Sequence, residues 1–141
     1  MSTRNRARGV AAVLLLIVGA TALTGCSASP EYGPSGCVPR FTVTPDTARA
    51  GDTVTFSTTD ECGVDVPEGG WRIEVSDDGG VRDDDIARST DTFDGSWSAS
   101  VRLPGDLRPG DGMLTIGNWD YSSCPDNASC AGPFGNLTIT D

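Results

Sequence analysis

Apolar and polar residues alternate along most of the chain after residue 40. The longest such run sets Trp97, Ala99, Val101 and Leu103 against Ser96, Ser98, Ser100 and Arg102. A strand with one face buried and the other in water has this two-residue period. Turns rich in glycine, proline and aspartate separate the runs, and no segment has a helical period. The pattern therefore predicts an all-β sandwich.

Shorter alternating runs predict further strands. They lie at residues 41–44, 53–57, 71–76, 114–116 and 137–139, with weaker signals at Ile86 and Phe93. We expect the first two strands to pair antiparallel with Phe41 opposite Phe56 and Val43 opposite Val54. All four apolar side chains then share one face, as a half-buried sheet requires.

The first 25 residues have the three parts of a secretory signal. Arg4, Arg6 and Arg8 form a positive region, the apolar run Val10–Ala20 follows, and small residues lead to a cleavage site. The apolar run is shorter than the roughly 20 residues of a transmembrane helix. A plain signal peptide and an uncleaved anchor remain the alternatives to the lipoprotein signal discussed next.

The motif Leu23-Thr24-Gly25-Cys26 follows this run and resembles the lipobox of bacterial lipoproteins. The resemblance implies cleavage before Cys26, whose sulfur then carries a diacylglycerol with acyl chains such as palmitate. We expect residues 1–25 to be removed, residues 26–36 to form a flexible tether, and residues 37–141 to form the folded domain. The lipid at Cys26 then anchors the protein on the extracytoplasmic face of the cell membrane.

The mature chain is strongly acidic. All 20 acidic residues but only seven of the ten arginines lie after residue 25, so its formal charge is 7 − 20 = −13. Lysine and histidine are absent. Because phosphate binding needs clustered Lys or Arg, this composition argues against a nucleic-acid partner. A solubilising surface is the favoured interpretation, and cation binding is the alternative.

Three turn and strand motifs follow one another in the domain. They are Pro45 with Gly51, Pro104 with Pro109 and Gly110, and the closing strand Leu137–Thr140. In this order they resemble bacterial immunoglobulin-like domains on exported proteins of high-GC Gram-positive bacteria. The resemblance implies a single immunoglobulin-like β-sandwich of about seven antiparallel strands. It implies no catalytic residues, and function does not follow from such a fold.

Four cysteines, Cys37, Cys62, Cys124 and Cys130, remain besides Cys26. An even number in a small exported domain indicates two disulfides, and a zinc site is the weaker alternative because histidine is absent. The register above brings Cys37 near Cys62, and Cys124 and Cys130 enclose only five residues. This favours Cys37–Cys62 with Cys124–Cys130. The pairing Cys62–Cys124 with Cys37–Cys130 stays open, and the family resemblance is compatible with it.

The sequence offers no catalytic constellation. Ser–His and Cys–His nucleophiles need a histidine and Ser–Lys variants need a lysine, and the chain has neither. Paired carboxylates could hydrolyse a glycoside, but a sandwich of this size leaves little room for a substrate cleft. We therefore expect a protein that is not an enzyme and has no cofactor.

The acidic segment 77–85 is the candidate metal site. Its carboxylates belong to Asp77, Asp78, Asp83, Asp84 and Asp85, and oxygen ligands suit calcium. The segment lacks the D-x-D-x-D-G spacing of calcium loops, and bunched acids usually form a solvated loop. Divalent-cation binding is therefore the alternative function, behind a binding or structural module of the cell envelope.

Trp119 and Tyr121 are the candidate ligand-binding residues. They follow the penultimate strand, and the up-and-down order of strands places them at the same pole as the four cysteines and the tether. Large aromatic side chains beside a braced loop are good binding anchors. The alternative is that Trp119 caps the core. If both residues bind, the expected partner is a membrane-proximal envelope protein or glycan.

Overall fold

The computed structural model describes residues 37–82 and 85–141, which form eleven β-strands and no α-helix. The strands are β1 (Thr42–Thr44), β2 (Thr47–Arg49), β3 (Thr53–Ser57), β4 (Glu61–Cys62), β5 (Trp71–Asp77), β6 (Gly80–Val81), β7 (Ala87–Ser89), β8 (Phe93–Asp94), β9 (Ser98–Arg102), β10 (Gly110–Ile116) and β11 (Phe134–Thr140). The prediction of an all-β domain is confirmed. The signal segment, the lipobox with Cys26 and the tether lie outside the described residues.

Two main sheets enclose one hydrophobic core, to which a short two-stranded sheet of β4 and β8 contributes Cys62 and Phe93. The first has the order β1-β3-β9, and the second has the order β2-β11-β10-β5-β6, with β7 also paired to β5. This order matches strands A-B-E and G-F-C of immunoglobulin-like sandwiches. The described part contains more strands than the roughly seven expected from the resemblance, because six of its eleven strands have only two or three residues.

The buried side chains follow the predicted alternation. In β11, Gly135, Leu137 and Ile139 are buried and the residues between them are exposed. The centre of the core is aromatic: Phe41, Phe56, Trp71, Phe93, Trp97 and Trp119 are all buried and in contact as stacked, tilted or edge-to-face pairs. Such rings bury large apolar areas, so this cluster supplies much of the stabilisation of the fold.

The predicted register between the first two strands was wrong by two residues. Val43 lies opposite Phe56 in the β1–β3 ladder, not opposite Val54, which pairs with Val101 of β9. A shift of two residues keeps every side chain on its original face, so the hydrophobic pattern alone does not distinguish the two registers. The rings of Phe41 and Phe56 still stack, with centroids 4.3 Å apart.

The observed register also accounts for the first disulfide. Extending the β1–β3 ladder by five residues beyond the pair Thr42 and Ser57 places Cys37 opposite Cys62. These two cysteines are bonded, with Cα atoms 5.7 Å apart.

The segment 45–52, predicted as a turn-rich connection, contains strand β2. The chain leaves the first sheet after β1 and joins the second sheet, where β2 pairs parallel with β11. Pro45 stands at this change of sheet and has no backbone N–H to donate to a ladder. Strand β2 has only three residues, too few to show an alternating pattern.

Strand β5 departs from the predicted alternation because it is central in its sheet. Glu74, expected on the solvent side, is only 9% exposed. Its carboxylate accepts a hydrogen bond from Arg72 Nη2 at 3.2 Å. Gly117 lies against this carboxylate so closely that a Cβ at that position would overlap it. Neighbouring strands therefore bury a charge that the sequence pattern assigns to water.

Candidate ligand-binding site

One end of the sandwich carries an unusually long connection. Strand β10 ends at Ile116 and β11 begins at Phe134, so the loop between them comprises the 17 residues 117–133. Loops longer than about 12–15 residues are uncommon in compact domains, and many of them are functional. The Cys124–Cys130 disulfide closes the middle of this loop.

Two grooves adjoin this loop. The first, here the Trp119 groove, has a volume of about 310 Å³ and is lined by Val64, Asp65, Val66, Pro67, Trp71, Asn118, Trp119 and Asp120. The second, the Phe134 groove, has a volume of about 990 Å³ and is lined by residues 37–41, 59–61, 131–132 and 134–136. The start of loop 117–133 lines one groove and its end lines the other. We call this end of the molecule the grooved pole.

Both disulfides lie at the grooved pole. Cys37 itself lines the Phe134 groove, and Ala131, the residue after Cys130, lines it as well. The structure thus contains the pairing Cys37–Cys62 with Cys124–Cys130 and not the crossed alternative. A groove whose walls are covalently braced keeps its shape when a ligand is absent, which lowers the entropy cost of binding.

Asn118 holds the loop to the sheet, a role that was not predicted from the sequence. Its Oδ1 accepts a hydrogen bond from the backbone N–H of Arg72 at 2.8 Å. Its Nδ2 donates to the carbonyl of Gly70 at 2.9 Å. Asn118 thereby joins the loop 63–70 to the loop 117–133, the two walls of the Trp119 groove. Its sequence signal was slight: a short polar side chain able to imitate backbone hydrogen bonding just after a strand.

The two predicted aromatic ligand residues have different environments. Trp119 is only 6% exposed and stacks on Trp71, with ring centroids 5.7 Å apart. It is therefore a core residue that contributes only a small surface to its groove. Tyr121 is 46% exposed, and its hydroxyl lies where a Cβ on Gly132 would be. Tyr121 thus crosses from the start of the loop to its end and keeps a large apolar surface in solvent.

The predicted acidic metal ligands are not brought together in the part of the chain that the structure describes. Asp77 is buried and accepts hydrogen bonds from the backbone N–H groups of Gly79 and Arg108 and from Arg82. Asp85 forms ion pairs with Arg72 and Arg88. Within residues 37–82 and 85–141, no three groups of ligand type are placed to hold a metal ion.

Asp78 is exposed. Asp83 and Asp84 lie outside the described residues, so calcium binding stays a prediction.

Asp77 links two loops at the other end of the sandwich, and we expect this link to weaken in acid. The backbone N–H of Arg108, 3.0 Å away, and then that of Gly79 lower the pKa of Asp77 below its usual 3.8. A lowered pKa contributes stability that is present above pH 3.8 and lost as the pH falls through the folded-state pKa. Asp77→Asn should therefore reduce the urea midpoint at neutral pH, and its difference from wild type should shrink below pH 3.8.

Urea unfolding at a series of pH values checks this prediction. The exposed neighbour Asp78 supplies the control variant Asp78→Asn, which should match wild type throughout. If the urea midpoint of Asp77→Asn stays below that of wild type by the same amount down to strongly acidic pH, ionisation of Asp77 is not the cause.

No protein-family model matches this chain, and no curated protein matches it significantly. Among the described residues, no helix is long and apolar enough to cross a membrane.

Proposed function

We propose that the protein is a surface-tethered lipoprotein of the cell envelope and acts as a non-catalytic binding module through its grooved pole. The observation that carries this proposal is loop 117–133, which contributes to both grooves and is closed by its own disulfide. A loop that only joined β10 to β11 would need about two to five residues. The additional length and the disulfide are consistent with selection for a binding surface.

Exposed apolar side chains support the same location. In the described part of the chain, the exposed large hydrophobic residues are Val81, Tyr121 and Phe134, with 62%, 46% and 43% of their surface accessible. Tyr121 and Phe134 belong to the grooved pole, whereas Val81 lies in the hairpin at the far end of β5. Aromatic side chains that remain in solvent beside a groove are typical binding anchors.

Lipid anchoring at Cys26 would turn this pole toward the membrane. The described domain begins at Cys37, on the wall of the Phe134 groove. The ten residues between Cys26 and Cys37 span at most about 33–36 Å when fully extended. The partner we propose is therefore an envelope protein or glycan close to the bilayer surface.

Two measurements on the full chain in its native envelope test this proposal. Mass spectrometry of the membrane fraction should find acylated Cys26 as the mature N-terminus. Crosslinking followed by affinity recovery should yield a partner, and the double variant Tyr121→Ala, Phe134→Ala should lower its recovery by about tenfold, as expected for losing about 1.4 kcal/mol of anchor energy.

The control is Val81→Ala, which removes an even more exposed apolar side chain from the opposite end and should leave recovery unchanged. All variants should keep the wild-type urea midpoint, because the replaced side chains are exposed. A mature protein without lipid on Cys26 would contradict the anchoring. Equal recovery from the pole variant and from wild type would contradict the grooved pole as the binding surface.

A further inference from the structure

The Trp119 groove has acidic walls and an apolar floor. Asp65 comes from the loop between β4 and β5, Asp120 comes from loop 117–133, and both are exposed. None of the residues that line this groove is a lysine or arginine. The remaining lining is mostly aliphatic or aromatic and comprises Val64, Val66, Pro67, Trp71 and Trp119, together with Asn118.

The arginines of the neighbouring strands do not supply the missing positive charge. Arg72 forms ion pairs with Glu74 and Asp85, and Arg88 also pairs with Asp85. Their guanidinium groups are therefore engaged by other carboxylates. Asp65 and Asp120 have no hydrogen bond or ion pair to an arginine among the residues that the structure describes.

The groove is also built to hold its shape. Asn118 ties loop 117–133 to strand β5 through its Oδ1 and to Gly70 of the other loop through its Nδ2. Gly70, at the end of the first loop, has a φ of 83°, and a Cβ there would come within 2.6 Å of the Ser89 carbonyl oxygen. Only glycine fits this close approach without strain. These contacts fix the backbone of both loops at the groove, and the backbone N–H of Ser122 also holds the Asp120 carboxylate.

We infer that the Trp119 groove binds a basic side chain, lysine or arginine, presented by a protein partner near the membrane surface. The aliphatic stem of such a side chain packs on Val66 and the tryptophan edges while its charged head meets Asp65 and Asp120. This inference rests on the proposed binding function and names the chemistry of its ligand.

Size and charge both favour this ligand. A volume of about 310 Å³ is at the low end for ligand pockets and suits one side chain better than an extended ligand. The mature charge of −13 attracts a basic partner and increases its rate of encounter. The backbone N–H of Ser122, 2.8 Å from Asp120, and then the Ser122 hydroxyl lower the pKa of the Asp120 carboxyl, so these hydrogen bonds favour its charged form.

The test titrates the full-length lipoprotein, held in a neutral detergent, with three blocked tripeptides. Their central residues are lysine, arginine and norleucine, the last being an uncharged analogue of lysine. The lysine and arginine peptides should shift the NMR resonances of residues 64–67 and 118–120 and of the Trp119 indole N–H. The norleucine peptide should bind about tenfold more weakly, since it lacks the charge pair.

Two double variants with the same net charge separate a local site from general electrostatic attraction. Asp65→Asn with Asp120→Asn should abolish the selectivity for the charged peptides. Asn at position 120 can still accept the Ser122 N–H, so the loop keeps its hydrogen bond. Asp111→Asn with Asp141→Asn, two exposed positions on β10 and after β11, should bind like wild type.

Three results would overturn the inference. The norleucine peptide could bind as tightly as the lysine peptide, or both double variants could lose the same affinity for the charged peptides. Finally, millimolar peptide could leave the NMR resonances of the groove residues unshifted. Partner recovery by crosslinking, measured on the same variants, keeps the two proposals apart. If Asp65→Asn with Asp120→Asn still recovers the envelope partner, the binding function stands and the basic-ligand inference fails. If neither the wild-type protein nor any variant recovers a partner, the proposed function itself fails.

Discussion

Trp97→Ala should lower the free energy of unfolding by about 3–5 kcal/mol, the largest loss we expect from a single substitution in this domain. Trp97 is 2% exposed, and its ring centroid lies 5.1 Å from that of Phe41, 5.8 Å from that of Phe56 and 5.5 Å from that of Phe93. Removing the indole leaves a cavity between the sheets that these rings cannot fill, because each is also packed against other buried core residues. Urea unfolding followed by circular dichroism measures the loss.

Two further variants keep this prediction testable if the alanine variant does not fold. Ser98→Ala, the exposed neighbour on β9, should be within about 0.5 kcal/mol of wild type, as for most surface changes. Trp97→Phe should lower the free energy of unfolding by less than Trp71→Phe does. In the described part of the chain Trp97 Nε1 has no hydrogen-bond acceptor, whereas Trp71 Nε1 donates to the Asp91 carbonyl at 3.0 Å. Equal losses of stability in these two variants would contradict the stabilising role of the Trp71 hydrogen bond, and a loss below about 2 kcal/mol in Trp97→Ala would contradict the packing argument, since core Trp→Ala changes cost about 3–5 kcal/mol.

Replacing both Cys37 and Cys62 by alanine should lower the free energy of unfolding by about 3–4 kcal/mol. This disulfide joins residues 25 apart, and closing a loop of that length removes considerable entropy from the unfolded chain. Cys62 is also buried at 4% exposure, so alanine avoids burying the hydroxyl that serine would introduce. The change is measured by urea unfolding of the double variant beside wild type.

The second disulfide supplies the matched comparison. Cys124 and Cys130 are only six residues apart, so the same chain-entropy relation gives about 2 kcal/mol for their replacement by alanine. Because this bond lies within loop 117–133, its loss should reduce partner recovery even though the domain stays folded. The prediction fails if removal of Cys124–Cys130 destabilises the domain more than removal of Cys37–Cys62 does.

The sequence predicted where the candidate site lies but only some of the residues that form it. The sequence placed Trp119 and Tyr121 at the pole that carries the cysteines, and the structure has both residues in the loop between β10 and β11. It did not distinguish their environments, since a tryptophan after a strand is compatible with either core or surface. Asn118 and Asp65 were missed because neither belongs to a motif. Each acquires its role from a loop that is distant in sequence.

The sequence by itself determined the all-β class and the identity of the inward face of most strands. An alternating pattern has a period of two, and that period is a property of the extended backbone rather than of any partner strand. The same local information indicated an even set of disulfide-bonded cysteines and the turns at Pro45 and Pro104. These features need no knowledge of which strands are neighbours.

Only the tertiary structure decided the register of β1 on β3, the strand β2 in an expected turn, and the burial of Glu74 and Asp77. Each of these depends on which strand or loop lies alongside, and pairing partners are chosen by the free energy of the whole sandwich. A shift of two residues leaves the hydrophobic pattern unchanged, so the sequence cannot favour one register. A carboxylate is buried when distant donors reach it, as the N–H of Arg108 reaches Asp77.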